Sequence, residues 1–292
     1  MKPLIFAHHS SSQLVSSFAE KVNGEITHVE SHDFPDGESY LRVEQNCFGR
    51  TAIIIADLHQ PNAKVLPLIF LCETLKELKI ATIILVAPYL PYMRQDKQFQ
   101  PGEGVTSRYF AKILSQHVDK LITIDPHLHR YNSLDEIYSI PSIVLHTTAY
   151  IAQWIKESVN KPLIIGPDSE SEQWAAATAN IINCPFIILQ KERFGDRDVQ
   201  VSPPEASCYK DHTPVLIDDI ISTGKTMIKT AEALKEDGLN APVCIGVHAL
   251  FSGEAFNEMQ QANIKDIVTC STVSHESNKI DISGLLAKAI TT

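Results

Sequence analysis

Short apolar runs rich in Ile and Val recur along the chain at residues 4–7, 52–56, 82–87, 121–124, 163–165, 186–189, 215–217, 243–247 and 266–268. Their apolar residues fall at successive positions instead of alternating, as in strands buried on both faces of a parallel sheet. Amphipathic stretches lie between them. Over 226–234, for example, Met227, Ile228, Ala231 and Leu234 share one helical face. Strand alternating with helix predicts an α/β fold, mostly parallel sheets flanked by helices, with ligands at the carboxyl ends of strands. The pattern also repeats. Ile53-Ile54-Ile55-Ala56-Asp57 leads through a loop and a long helix to the strand at 82–87, and Val215-Leu216-Ile217-Asp218-Asp219 leads through a loop and a helix to the strand at 243–247. In each half about thirty residues separate the strand-end Asp from the end of the next strand, the scale of one βαβ unit. Two related domains are therefore expected, residues 1–146 and 147–292.

Charge narrows the partners. Lys plus Arg is 25 and Asp plus Glu is 35, a formal net charge of −10. A general nucleic-acid or anionic-membrane binder needs a basic face, so both are excluded as partners. Small anionic ligands stay open, since a site needs only a few well-placed cations. The six cysteines form no CxxC pair and several sit in apolar runs, which reads as free buried thiols in a reducing compartment. The opening MKPLIFAHHSSSQ has no signal-peptide pattern. The most apolar helical stretch, 65–72, is interrupted by Pro67 and followed by Glu73, Lys76 and Glu77, too short for the roughly 20 residues that span a bilayer. A cytoplasmic location is expected.

The segment richest in chemistry is Asp218-Asp219-Ile220-Ile221-Ser222-Thr223-Gly224-Lys225-Thr226. A buried strand ends in two carboxylates, and small hydroxylic residues with a glycine then open a helix. A helix N-terminus offers unpaired N–H groups and the positive end of a dipole, which suit a phosphate. Ser222, Thr223 and Thr226 add hydroxyls, and the paired carboxylates suit sugar hydroxyls, directly or through Mg2+. Gly224-Lys225-Thr226 imitates the end of a Walker A loop, but that motif needs a glycine where Asp219 stands, so a P-loop nucleotidase is not expected. The plainer reading is that Ser222 caps the helix and the aspartates are solvated.

This segment resembles the phosphoribosyl diphosphate (PRPP) loop of type I phosphoribosyltransferases and PRPP synthetases. Phe34-Pro35-Asp36-Gly37-Glu38, Pro91-Tyr92-Met93-Arg94-Gln95-Asp96-Lys97, Asp125-Pro126-His127 and Phe251-Ser252-Gly253 resemble, in order, motifs of the ribose-phosphate pyrophosphokinase (PRPP synthetase) family. The resemblance runs from the first strand to Ile280-Asp281-Ile282-Ser283. It implies two related type I phosphoribosyltransferase-like domains, the first with ATP-contacting motifs and the second with the ribose 5-phosphate loop. It implies an enzyme that moves the β,γ-diphosphoryl group of ATP to the 1-hydroxyl of ribose 5-phosphate, giving PRPP and AMP.

By the same resemblance, Ser222, Thr223, Gly224, Lys225 and Thr226 hold the 5-phosphate, and Asp218 and Asp219 the ribose hydroxyls. Arg94, Gln95 and Asp96 contact ATP; without the resemblance they would be an ordinary solvated turn. Phe34, Asp36 and Glu38 contact adenine from a neighbouring subunit, which implies a homo-oligomer, at least a dimer, with a shared active site; alone, the five residues make a good β-turn. His127, also in the ATP-binding set, and Asp168 are implied Mg2+ ligands, with His129 second to His127. Imidazole is not the ligand Mg2+ prefers, so the histidine rests on the resemblance. Lys191 and Arg193 are the implied catalytic cations, delivered by a loop that closes on the transferring group; a solvated hairpin is the ordinary alternative.

Three positions depart from the family pattern. Lys225 stands where a small residue is usual, Ser169-Glu170-Ser171-Glu172 replaces glycine-rich residues, and Ala249 replaces a glycine. The chain ends soon after Ile290, which leads to an expectation of weak or absent ADP allostery. Two rival functions fit part of the pattern. A PRPP-dependent phosphoribosyltransferase accounts for 218–226 but not for the motifs of the first half. A catalytically inactive relative would have lost residues such as Lys191, Arg193, His127 and Asp168, which are present.

Overall fold

Ile and Val populate strands because their branched side chains pack on a pleated surface, and runs of them survive only where both faces are covered. The computed structural model describes residues 1–166, 172–189, 191–194, 197–201 and 206–291. The first half contains β1 (Leu4–His8), α1 (Ser12–Lys21), β2 (Glu25–Thr27), β3 (Val29–Asp33), β4 (Ser39–Val43), β5 (Thr51–Ala56), α2 (Val65–Glu77), β6 (Thr82–Ala87), α3 (Thr106–His117), β7 (Lys120–Ile124) and β8 (Ser142–Leu145). Six of these strands form one parallel sheet in the order β2-β1-β5-β6-β7-β8.

The second half contains α4 (Thr148–Ser158), β9 (Pro162–Gly166), α5 (Glu172–Ile182), β10 (Phe186–Ile188), β11 (Lys191–Phe194), β12 (Arg197–Val201), β13 (Thr213–Ile221), α6 (Lys225–Glu236), β14 (Val243–Ala249), α7 (Ala255–Gln261), β15 (Asp266–Cys270), β16 (Asn278–Ile280) and α8 (Ser283–Thr291). Its parallel sheet has the order β10-β9-β13-β14-β15-β16. The two orders match strand for strand. Each half also inserts one antiparallel hairpin, β3–β4 or β11–β12, between the second and third strands of its sheet. This is the alternating α/β architecture that the apolar runs predict, and the shared topology accounts for their repeat. The central strands are the driest: all seven residues of β14 are buried, as are Ala52 to Ala56 of β5.

Local details differ from the sequence pattern in two places. Strand β13 continues through Asp218 and Asp219 to Ile221, because β14 pairs with it as far as Ile221 opposite Ala249. Pro67 does not interrupt a helix; it lies in the first turn of α2, where an N–H would have no intrahelical partner. No described helix is long and apolar enough to cross a membrane.

Contacts divide the chain into two compact units. One contains residues 1–145 with 272–274 and the segment from Ile282; the other contains 146–271 and 275–281. A division into 1–146 and 147–292 gives α8 to the second half, whereas α8 packs on α1 and β8 of the first unit. The reason is its apolar face. Ile282 and Leu286 are fully buried, and Ser283 Oγ lies 2.9 Å from Ser17 Oγ of α1. Conversely α4, which follows the last strand of the first sheet, belongs to the second unit and packs on α5.

Candidate active site

In the second unit the route from strand to helix at 218–226 is built for close backbone approach. Asp218 and Asp219 are half-buried, and the Asp219 N–H donates to Asp218 Oδ1 at 3.0 Å. Backbone bonds hold the turn beneath them: the Phe251 N–H donates to the Ile221 carbonyl at 3.1 Å and the Ser252 N–H to the Ser222 carbonyl at 3.0 Å. Ser222 Oγ lies 3.5 Å from Ser252 Oγ. The residue that caps α6 is Gly224, with φ 68°, and no side chain hydrogen-bonds at that cap. The plainer reading of Ser222 as a helix cap therefore fails. Helix amides without a side-chain cap, beside exposed Thr223, Lys225 and Thr226, make a surface suited to an anion. Lys225 begins the helix proper with ordinary helical backbone, so its size strains nothing.

The topologically equivalent junction in the first unit, β5 to α2, is closed by its own side chains. Lys64 caps α2, its Nζ lies 3.5 Å from Asp57 Oδ1, and its carbonyl lies 2.9 Å from Nε2 of buried His8. Burial, reinforced by neighbouring His9, lowers the His8 pKa to about 4. Of the two junctions, only the one in the second unit has the glycine cap and hydroxyls.

Residues 34–38 form the tip of the β3–β4 hairpin. The Phe34 N–H donates to the Glu38 carbonyl at 2.7 Å, the Gly37 N–H to the Phe34 carbonyl at 2.8 Å, and the Glu38 N–H to Asp36 Oδ1 at 3.3 Å. All five residues are exposed; Phe34 is 45% exposed and meets the rings of His32 and Tyr40 edge-on. The tip thus presents an aromatic face with Asp36 and Glu38 beside it.

The segment after β6 separates its members. Arg94 is exposed and Gln95 half-buried, with Gln95 Nε2 3.3 Å from Glu103 Oε2. Asp96 is buried, and Arg130 Nη1 donates to both its carboxylate oxygens at 2.9 and 3.1 Å. Arg130 thus pairs with the Asp96 carboxylate at both oxygens. After β7, Asp125 is buried at φ 39° and its N–H donates to the Leu145 carbonyl at 2.9 Å. His127 follows, half-buried, its ring centroid 3.7 Å from that of exposed His129. Both segments lie at the carboxyl ends of their strands, where α/β folds bind ligands.

Lys191 and Arg193 lie on β11, which pairs antiparallel with β12 and shifts register between Glu192 and Phe194. Asp168 and Ser169-Glu170-Ser171 lie outside the described residues. Arg130, Tyr131 and Ser107, which organise the 91–97 turn, had no signal in the sequence beyond their nearness to named motifs.

Two parallel six-stranded sheets of equal order, with a strand–loop–helix anion cradle in the second, define a duplicated phosphoribosyltransferase-type fold. Residues 133–283 match the family model of the phosphoribosyl transferase domain, and residues 3–117 match that of the N-terminal domain of ribose phosphate pyrophosphokinase. The chain belongs to the ribose-phosphate pyrophosphokinase family. It is 28% identical to the ribose-phosphate pyrophosphokinase of Methanopyrus kandleri over 290 residues, covering 98% of each chain. It is also 28% identical to those of Methanobrevibacter smithii and Sulfurisphaera tokodaii, covering 98% of this chain and 99% and 100% of theirs. The phosphoribosylpyrophosphate synthetase structure from Mycobacterium smegmatis shares the fold, with TM-score 0.84, 22% identity, and coverage of 100% of this chain and 98% of that one.

Proposed function

We propose that this chain is a ribose-phosphate diphosphokinase, transferring the β,γ-diphosphoryl group of ATP to the 1-hydroxyl of ribose 5-phosphate. The 1-oxygen forms a bond to the β-phosphorus as the α,β-bridge bond breaks, and AMP leaves with the bridging oxygen. The observation that carries the reading is the first unit. A phosphoribosyltransferase needs only the cradle of the second unit, whereas this chain adds a half that matches the pyrophosphokinase N-terminal domain over 3–117.

In this reading the amides opening α6, with Ser222, Thr223, Gly224, Lys225 and Thr226, bind the 5-phosphate, and Asp218 and Asp219 orient the ribose hydroxyls. Arg94 and Gln95 face ATP from the first unit, while Asp96 serves by holding their turn. Phe34, Asp36 and Glu38 serve the adenine of a neighbouring subunit; their exposure on a hairpin tip supports that role and a homo-oligomeric enzyme. Lys191 and Arg193 neutralise charge on the diphosphoryl group in flight, where electrostatics dominate phosphoryl transfer.

His127, which is half-buried, and Asp168 are assigned to a triphosphate-bound Mg2+ by family pattern, and the half-buried carboxylates of Asp218 and Asp219 suit sugar hydroxyls. Bound Mg2+ supplies charge neutralisation on the triphosphate. A cytoplasmic location suits substrates such as ATP and ribose 5-phosphate.

The test is product analysis. ATP plus ribose 5-phosphate, with no base added, should yield AMP and PRPP in equal amounts, dependent on Mg2+. No AMP under these conditions would sink the reading. Lys191→Ala should cut turnover at least 100-fold while the ribose 5-phosphate KM moves little; unchanged turnover removes Lys191 from the mechanism.

A further inference from the structure

Asp96 is the one acidic residue of the 91–97 turn, and only 3% of its surface is exposed. A buried carboxylate is tolerated only when paired and hydrogen-bonded. Its partner Arg130 comes from the loop that carries His127, 34 residues further along the chain. That loop grips the turn once more, and α3 adds a third hold. Tyr131 Oη donates to the Asp96 carbonyl at 3.0 Å and lies 3.1 Å from Ser107 Oγ, and the Ser107 N–H donates to the Gln95 carbonyl at 3.3 Å. The Arg130 guanidinium also lies over the Phe99 ring, 5.3 Å from its centroid. Residues 95 and 96 are therefore held from outside at both side chains and both carbonyls, while Arg94 beside them stays exposed.

We propose that Arg130 is a positioning residue for the reaction. By clamping Asp96 it fixes the turn that presents Arg94 to the nucleotide, and it ties that turn to the loop bearing His127. The inference rests on the assignment of Arg94 and His127 to ATP made above. A guanidinium suits the task because its planar fork fixes direction as well as charge, which an ammonium does not. The clamp acts on one substrate only, so its loss should appear as a split between the two KM values.

The experiment measures steady-state kinetics of AMP release with each substrate varied, together with calorimetric binding of a non-hydrolysable ATP analogue. Arg130→Lys should raise the ATP KM about 10-fold and Arg130→Met about 30-fold, with the analogue Kd following and the ribose 5-phosphate KM within about 2-fold of wild type. In an Arg94→Ala background, Arg130→Met should add less than about 3-fold, because the presented group is already gone. Arg130→Met leaves a buried carboxylate unpaired, so Asp96→Asn/Arg130→Gln provides a neutral pair expected to fold and to show the same ATP-specific loss. An unchanged ATP KM in Arg130→Met, a parallel rise in both KM values, full additivity with Arg94→Ala, or failure of the neutral pair to fold would each overturn the proposal. Wild-type protein that releases no AMP would instead overturn the function, and an unaltered ATP KM in Arg94→Ala would overturn the assignment of Arg94.

Discussion

Adding one methyl group at Gly224 tests whether the anion cradle is shaped as described. Gly224 has φ 68°, a left-handed conformation that costs a residue with a side chain roughly 1–2 kcal/mol. Its Cβ would stand 2.7 Å from Met259 Sδ and 2.8 Å from Met259 Cγ. Met259 is fully buried among Leu163, Leu216, Leu234 and Ile267, so it has little room to retreat. Overpacking of that kind costs about 1–3 kcal/mol. Gly224→Ala should therefore lose roughly 2–5 kcal/mol, read from denaturant unfolding, and the ribose 5-phosphate KM should rise. Gly253 supplies the control. It has φ 61° with nothing within 4 Å of the added Cβ, so Gly253→Ala should lose only the backbone part, about 1–2 kcal/mol. Equal losses for the two variants would refute the packing of Met259 against the loop, and a Gly224→Ala protein as stable as wild type would refute the whole account.

Protonation of His8 should make stability depend on pH. Burial holds its folded pKa at about 4 against 6.5 unfolded, so the unfolded chain takes up the proton first as pH falls. Its contribution is complete above pH 6.5 and is lost on descending toward pH 4; between pH 7.5 and 5 it removes about 2 kcal/mol, and His8→Asn should lack that slope in denaturant titrations at the two pH values. Thiol labelling of native protein should modify exposed Cys208 first. Cys72, its thiol pushed up to about 12 by burial, should react only after unfolding together with buried Cys47, Cys244 and Cys270, and rapid native labelling of any of these four would contradict the packing. Leu286→Ala in α8 should cost about 2–5 kcal/mol of stability, since the side chain is fully buried; a loss under 1 kcal/mol would show that α8 is not docked.

The central strands were legible because both their faces are dry, which leaves consecutive Ile and Val as a plain signature. Strands β2 and β16 and the hairpin β3–β4 left no such trace: they are short and half-exposed, as in the sequence Val-Glu-Ser-His-Asp of β3; β8 carries Ile143-Val144-Leu145 but is only four residues long. The carboxylates of 218 and 219 suggest a strand end, yet pairing with β14 carries β13 past them, because ladder bonds do not depend on side-chain polarity. At the site, residue types at fixed spacing marked the turn at 218–226 and the tip at 34–38. The part of Asp96 was hidden, since a polar residue in a polar turn looks solvated until an arginine 34 positions away covers it. The home of α8 was hidden for the same reason: its amphipathic pattern says that it packs, not on which sheet.

That home has a consequence for how the chain is made. A ribosome delivers residues 1–145 long before α8, and helix α1 waits for a partner 266 positions later, the separation between Ser17 and Ser283. The half synthesised first thus cannot be finished until residue 283 has been made, after the whole sheet of the second unit, and a contact of such long separation forms late in folding. A message truncated shortly before residue 283 would encode both six-stranded sheets yet leave α1 and β8 of the first unit without their covering helix. Chaperones and proteases would meet the error in the first unit although the lesion lies beyond the sheet of the second.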